Sequence, residues 1–295
     1  MVTDITAVLQ MLQKSKGGGV VTTVQEMKEN QFGIPLRHYA QQYLFGATGL
    51  RLQVFNSIAG APQSCKSTLL FDLIGHVCSD KATGGQDGIA FLFELEDKIS
   101  PSLLYSVLEG YGEDTKKGLI ILRKMTLDKA IGYMNKDLIE VYNTISSAHD
   151  VPVLVGFDSI GGAASSDTVE KSKKEGAIGK GFHEKAFNMK HFCENFSQIL
   201  EDIPMVIVCI NQEKESVSTV SYGPPQKHVT GGMSQVFRDG HMISARAEKL
   251  ASGDGSIVKL RTTKTSFCDP RKIEVNFRWN RFGNTESTDD MYGHH

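Results

Sequence analysis

Residues 60–67 read GAPQSCKS. The spacing is that of a phosphate-binding loop, G-x-x-x-x-G-K-[ST], with Cys65 where the pattern has its second glycine. Such a loop curls backbone N–H groups around a phosphate and aims a helix N-terminus at it. The flanks supply that context. RLQVFNSIA, 51–59, reads as a strand, and Leu69, Leu70, Leu73, Ile74 and Val77 fall on one face of a following helix. Gly60, Ala61, Pro62, Gln63, Ser64, Cys65, Lys66, Ser67 and Thr68 are therefore the candidate ATP-binding segment. Lys66 would reach the outer phosphates, and the Ser67 hydroxyl would ligate Mg²⁺. Position 65 is read as needing no positive φ, so a cysteine there leaves the curl intact. Lys66 beside it could lower the pKa of the Cys65 thiol, but most cysteines in such cores are inert, and the sequence does not decide between the two.

Working outward, strands and helices alternate. GIAFLFELE (88–96), LIIL (119–122), VPVLVGFDS (151–159) and PMVIVCINQ (204–212) read as strands. Between them, 102–111, 137–148 and 182–200 read as helices, the last from Phe182, Ala186, Met189, Cys193, Phe196 and Leu200 at steps of four and three. After residue 240 the pattern changes to closely spaced strands: HMISARAE (241–248), SIVKLRTTK (256–264) and RKIEVNFRW (271–279). The expected fold is α/β: a mainly parallel sheet flanked by helices, with an antiparallel extension at one edge.

The strands end in polar residues. Asp158 closes the fourth strand, where a carboxylate is a second Mg²⁺ anchor acting through water. Glu94, Glu96 and Asp97 follow the second strand, and a carboxylate there could hold the water that attacks a γ-phosphate. Asn211 and Gln212 follow the fifth strand; a buried amide there can sense a γ-phosphate or simply bond its own turn. Two segments, 161–181 and 213–232, read as neither helix nor strand. Loops of about 20 residues are uncommon in compact domains and usually functional. Both would leave the sheet at its carboxyl edge, where open α/β sheets bind ligands.

Composition sets the outer bounds. The chain has 295 residues, 40% of them hydrophobic, enough for one large core or a core with a small appendage. A net charge of -2 argues neither for nor against nucleic acid. The cysteines, 65, 78, 193, 209 and 268, form no C-x-x-C pair, which disfavours a zinc site and suits a reducing, cytoplasmic compartment. The N-terminus reads as no secretory signal, and no apolar run approaches the ~18 residues of a membrane span. Val2, Ile5, Val8, Leu9 and Leu12 mark a short amphipathic helix, and VVTTV (20–24) an isolated strand that would need a partner, such as a neighbouring subunit's sheet. Three regions follow: an arm at 1–40, a core at 41–283 and a loose polar tail at 284–295, whose terminal GHH carries no functional weight.

The order of these signals resembles the RecA family of recombinases, and most closely its phage UvsX-like branch, whose phosphate loop also replaces the second glycine. The resemblance covers about residues 40–280 and rests on motif order and spacing. It implies an ATP-dependent, DNA-stimulated ATPase that forms helical filaments on single-stranded DNA and exchanges strands in recombination and repair, aided by loading or single-strand-binding proteins. In a phage the location would be the host cytoplasm. ELEDKISP, counted back from Pro101, puts the catalytic glutamate at Glu96 rather than Glu94. Gln212 matches the residue that couples ATP state to DNA. Lys264, in TTKTSF, matches a basic residue that reaches the next subunit's ATP, whereas Thr262 stands where some relatives carry lysine. The first DNA loop would offer Lys171, Lys173, Lys174, Gly176, Gly179 and Lys180. The second would offer Lys214, Lys227, His228, Gly231 and Gly232. Residues 1–40 would be the subunit-joining arm, and the C-terminal domain of bacterial relatives would be missing. A helicase motor, a KaiC-like regulator or a non-hydrolysing annealing scaffold are the alternative readings.

Overall fold

Near-continuous apolar runs form central strands of the molecule. The computed structural model describes residues 33–36, 39–46, 49–146, 151–163, 190–194, 196, 203, 205–215, 227–229, 239–249, 251, 255–266, 268–279 and 285–287. The chain divides into two compact units, Met1–Gly33 and Ile34–His295. The helix expected over 2–14 and the strand over 20–24 lie outside the described residues.

Among the described residues, the second unit is an α/β structure built on a ten-stranded sheet. Its strands are β1 (Phe55–Gly60), β2 (Ile89–Glu94), β3 (Leu119–Arg123), β4 (Val153–Asp158), β5 (Met205–Glu215) and β6 (Lys227–Val229). The series continues with β7 (Asp239–Lys249), β8 (Gly255–Thr265), β9 (Lys272–Trp279) and β10 (Thr285–Ser287). The helices are α1 (Tyr39–Phe45), α2 (Lys66–Cys78), α3 (Pro101–Glu109), α4 (Leu127–Tyr133) and α5 (Ile139–Ser146), with a π-helical turn, Met134–Leu138, joining the last two. Strand order across the sheet is β10-β9-β8-β7-β1-β5-β4-β2-β3, with β6 paired to β5. Every neighbouring pair from β7 to β3 is parallel. The pairs β7–β8, β8–β9, β9–β10 and β5–β6 are antiparallel.

Side chains one residue apart on a strand point to opposite faces, and the core divides accordingly. On one face Ile58, Leu92, Leu154, Val206, Val208 and Ile210 pack with α2 through Leu69, Leu70, Leu73, Ile74 and Val77. On the other, Phe91, Phe93, Val155, Phe157, Ile207 and Cys209 pack with Leu127, Ala130, Met134 and Leu138, and with Phe192 and Phe196. Phe192 stands edge-on to Phe157 at 5.1 Å, and Phe93 stacks on Phe157 at 4.9 Å, orientations that add to simple burial. Burial of the central strands on both faces is the reason they read as near-continuous apolar runs.

Several expectations are corrected. The first strand starts at Phe55 rather than 51, because Leu50–Arg51 forms a separate short strand. The helix expected over 137–148 begins at Leu127, with its apolar stripe running through the π turn. Segment 213–232 is not wholly irregular. The fifth strand runs on to Glu215, and Lys227–Val229 pairs back on it, Lys214 opposite His228 and Glu215 opposite Lys227. Nor is the whole tail loose: Thr285–Ser287 pairs with Phe277–Trp279 as an edge strand. Of the helix expected over 182–200, residues 190–194 and 196 are helical.

Candidate functional site

The parallel strands all point their carboxyl ends to one edge, and register aligns the polar residues there. Gly60 lies level with Gln212 on one side and with Ala245 on the other. Glu94 lies level with Asp158 and with Arg123. Six separate strands thereby bring these residues to one edge of the sheet.

The loop after β1 owes its start to a close approach. A Cβ at Gly60 would lie 2.2 Å from the carbonyl oxygen of Ala245 and 2.7 Å from Ser64 Oγ, so only glycine fits. Two residues of the curl, Gln63 and Cys65, take φ of 62° and 61°. The expectation that position 65 needs no positive φ is therefore wrong: Cys65 sits in the left-handed region that glycine occupies without strain, at a cost of about 1 kcal/mol for a side-chain-bearing residue. Cys65 is also the N-cap of α2 and makes no side-chain cap hydrogen bond, although its carbonyl accepts from Leu69 N at 3.1 Å. The first N–H groups of α2 thus face the loop, with the positive end of the helix dipole behind them.

Lys66 folds back into this curl. Its ammonium donates to the Ala61 carbonyl at 2.6 Å and to Ser64 Oγ at 3.2 Å, and Ser64 Oγ donates to the same carbonyl at 2.8 Å. Burial pulls the Lys66 pKa down, opposed by Asp158, Cys65, Glu213 and Glu96. Burial likewise pushes the Cys65 thiol up to about 11, more than the neighbouring Lys66 lowers it. Of the two readings open from the sequence, an acidified thiol and an inert one, that balance favours the inert one: charge proximity is outweighed by desolvation.

Asp158, at the end of β4, accepts a hydrogen bond from Ser67, so both candidate Mg²⁺ anchors stand together. Burial raises its carboxyl pKa, the Ser67 bond lowers it, and Glu96 raises it further. The Asp158–Ser159 peptide is cis.

The turn after β2 treats its two glutamates differently. Glu94, whose side chain is 1% exposed, accepts from Ile99 N at 2.7 Å and pairs with Arg123 Nε. The same guanidinium donates to Asp97 Oδ1 at 2.9 Å, and Asp97 takes φ 53°. Glu94 and Asp97 are thus occupied in shaping the turn. Glu96 faces the loop edge. Its Oε1 accepts from Ser159 Oγ and from Gln212 Nε2 at 3.3 Å, and its Oε2 is 2.7 Å from Lys98 Nζ. Asn211 turns inward, fully buried, and its Oδ1 accepts from Gln212 N at 2.8 Å. A Cβ at Gly161 would lie 3.0 Å from that Oδ1, so this glycine lets the chain after β4 run close past the two amides. On the next residue, Glu213 Oε1 accepts from Ser244 Oγ at 2.8 Å.

Lys66, Ser67, Asp158, Glu96 and Gln212 are therefore brought to one place. Lys264 is not. It pairs with Met242, which pairs with Ser57, and so lies about 10 Å along the strands from the level of Gly60, toward their amino ends. Lys171, Lys173, Lys174, Gly176, Gly179, Lys180, Gly231 and Gly232 lie outside the described residues. Lys214, Lys227 and His228 are placed on the β5–β6 ribbon by their backbones. Ser159, Lys98 and Arg123 were given no role from the sequence; Lys98 alone carried a signal, a cation two residues from a candidate catalytic carboxylate.

Among the described residues, no group of three or more His, Cys, Asp or Glu side chains is placed to hold a metal ion, and no helix is long and apolar enough to cross a membrane. Compared with known proteins, the chain matches no family model and no curated relative.

Proposed function

We propose that this protein is an ATP-dependent DNA strand-exchange protein with a RecA-like core, forming filaments on single-stranded DNA. The observation that carries the reading is the convergence of two hydrogen-bonded pairs, Ser67 with Asp158 and Gln212 with Glu96, beside a glycine-started loop bearing Lys66.

In this reading the loop amides and the exposed start of α2 hold the triphosphate, and Lys66 exchanges its loop carbonyl for phosphate oxygens. Mg²⁺ takes oxygen ligands and needs few from protein when phosphates supply the rest, which suits a hydroxyl beside a carboxylate. Ser67 and Asp158 would hold it, and when bound it would neutralise charge on the phosphates. Glu96 accepts a proton from a water whose oxygen bonds to the γ-phosphorus. The bond from that phosphorus to its bridging oxygen breaks, giving ADP and inorganic phosphate. Gln212 touches the same carboxylate and begins the β5 extension that becomes the β5–β6 ribbon. Lys214, Lys227 and His228 on that ribbon, with Lys171, Lys173, Lys174 and Lys180 after β4, are the proposed DNA contacts.

Self-assembly is supported by two features. Among the described residues β3 is the last strand of the sheet and pairs only with β2, and its Ile120 and Ile121 are each 41% exposed. An open apolar edge of this kind accepts an added strand, for which VVTTV of a neighbouring copy is the proposed occupant. The offset of Lys264 from its own loop suits a contact with the ATP of the next subunit.

The test is phosphate release with and without single-stranded DNA. Stimulation by DNA is expected; release that ignores DNA would sink the reading. Electron microscopy with a slowly hydrolysed ATP analogue and single-stranded DNA should give open helices, whereas closed rings would point to a helicase motor.

A further inference from the structure

The turn that carries Glu96 also carries a cation aimed at it. Lys98 Nζ lies 2.7 Å from Glu96 Oε2, with the carboxylate side chain only 8% exposed and the lysine 74% exposed. The backbone around Lys98 is fixed on both sides. Before it, Asp97 takes a left-handed φ of 53° and is held by Arg123 at 2.9 Å. After it, Ile99 N is held by Glu94 at 2.7 Å. The reversal at Asp97 sends the lysine back over Glu96, so the pair follows from how the turn is built. A carboxylate offers about four acceptor sites. Here Ser159 and Gln212 take part of Oε1 and the ammonium faces Oε2. A carboxylate so engaged is a poorer acceptor for water, because the ammonium offsets its charge and takes one of the two acceptor sites of Oε2.

We propose that Lys98 is a positioning residue that restrains the hydrolytic site: paired with Glu96 it withholds the carboxylate from water, and phosphates of single-stranded DNA release it by drawing the exposed ammonium away. This rests on the reading of Glu96 as the residue that orients the attacking water. Its strength is suited to a switch. An ion pair with so exposed a lysine shifts an equilibrium by only about twofold to fivefold, small enough for a polyanion to overcome. The Lys98 ammonium is held above its ordinary pKa chiefly by its hydrogen bond to Glu96, so it stays charged at neutral pH.

The experiment compares the full-length protein with Lys98→Gln and Lys98→Arg, measuring ATP turnover with no DNA and with saturating oligo-dT. Binding of a fluorescent ATP analogue reports that each variant is folded. Lys98→Gln should raise the DNA-free kcat about threefold to fivefold, leave KM for ATP within about twofold, and leave the DNA-saturated rate unchanged. Stimulation by DNA should shrink by the same factor. Lys98→Arg, which keeps the charge, should stay with the wild type. A lysine that only supports the turn would lower both rates or change neither, and either result overturns the proposal. So would a Lys98→Arg that behaves like Lys98→Gln. If wild type responds to DNA while Lys98→Gln keeps its low DNA-free rate, this inference alone fails. If no variant releases phosphate under any condition, the hydrolytic reading fails with it.

Discussion

The loop at 60–67 and the turn at 94–99 both hold a charge at the same sheet edge, but by different means. The loop holds Lys66 with its own atoms, the Ala61 carbonyl and the Ser64 hydroxyl. The turn holds Glu96 partly with atoms from elsewhere: Ser159 follows β4 and Gln212 belongs to β5. The loop is thus a self-contained cradle, whereas the state of Glu96 depends on where neighbouring strands stand. Within the turn the same division recurs, since Glu94 is spent on local shape and Glu96 on partners from other elements.

The severest way to break this contrast is to remove each charge. Lys66→Ala and Glu96→Gln should each cost about 10²–10³-fold in kcat. Only Lys66→Ala should also weaken nucleotide binding, read by titration with a fluorescent ATP analogue. Equal loss of binding in both would mean that Glu96 belongs to the cradle. Next in size is the chemistry of Cys65. With its thiol pushed up to about 11, iodoacetamide at pH 8 should modify it about 100-fold more slowly than free cysteine. Because the thiolate is the nucleophile, the rate should climb about tenfold per pH unit from 8 to 10. Peptide mapping by mass spectrometry checks this, and fast labelling at pH 8 would show an accessible, acidified thiol.

Glu94→Ala sharpens the division within the turn. Loss of the acceptor for Ile99 N and of the Arg123 partner should destabilise by about 1–3 kcal/mol, lowering Tm several degrees. The kcat of the folded protein should change less than tenfold, the reverse of Glu96→Gln. The smallest expected effect is that of Cys65→Gly, which relieves the left-handed backbone and should stabilise by about 1 kcal/mol, raising Tm by about 2–4 °C. No gain in Tm would mean that the buried sulfur offsets the strain.

The sequence made the fold largely legible because the buried strands are short apolar runs and the loop motif fixes where the first one ends. What escaped it depends on pairing or packing. Lys227–Val229 and Thr285–Ser287 are polar and short, and only a neighbouring strand's backbone makes them strands. Leu127, Ala130, Met134 and Leu138 share one buried stripe at steps of three and four, but Gly132 and the polar Asn135, Lys136 and Asp137 between them obscured the helix start. At the site, the loop motif and the strand ends pointed to Lys66, Ser67 and Asp158, whereas the choice of Glu96 over Glu94 and of Gln212 over Asn211 came from the family resemblance. The backbone of Cys65 was not, since the curl forces a conformation its own residue type disfavours. Its thiol stayed undecided because sequence reveals which charge is adjacent but not how much water is excluded.

One feature bears on how far a small movement can travel. From Met205 to Glu215 the fifth strand contains neither glycine nor proline, and Gln212 sits between its buried inner part and the outer part that carries the ribbon. Such a strand has no built-in hinge at that point. On the proposed reading, a shift of Gln212 would therefore pass along the strand into Glu213–Glu215 and on to Lys227–Val229, which pair with them.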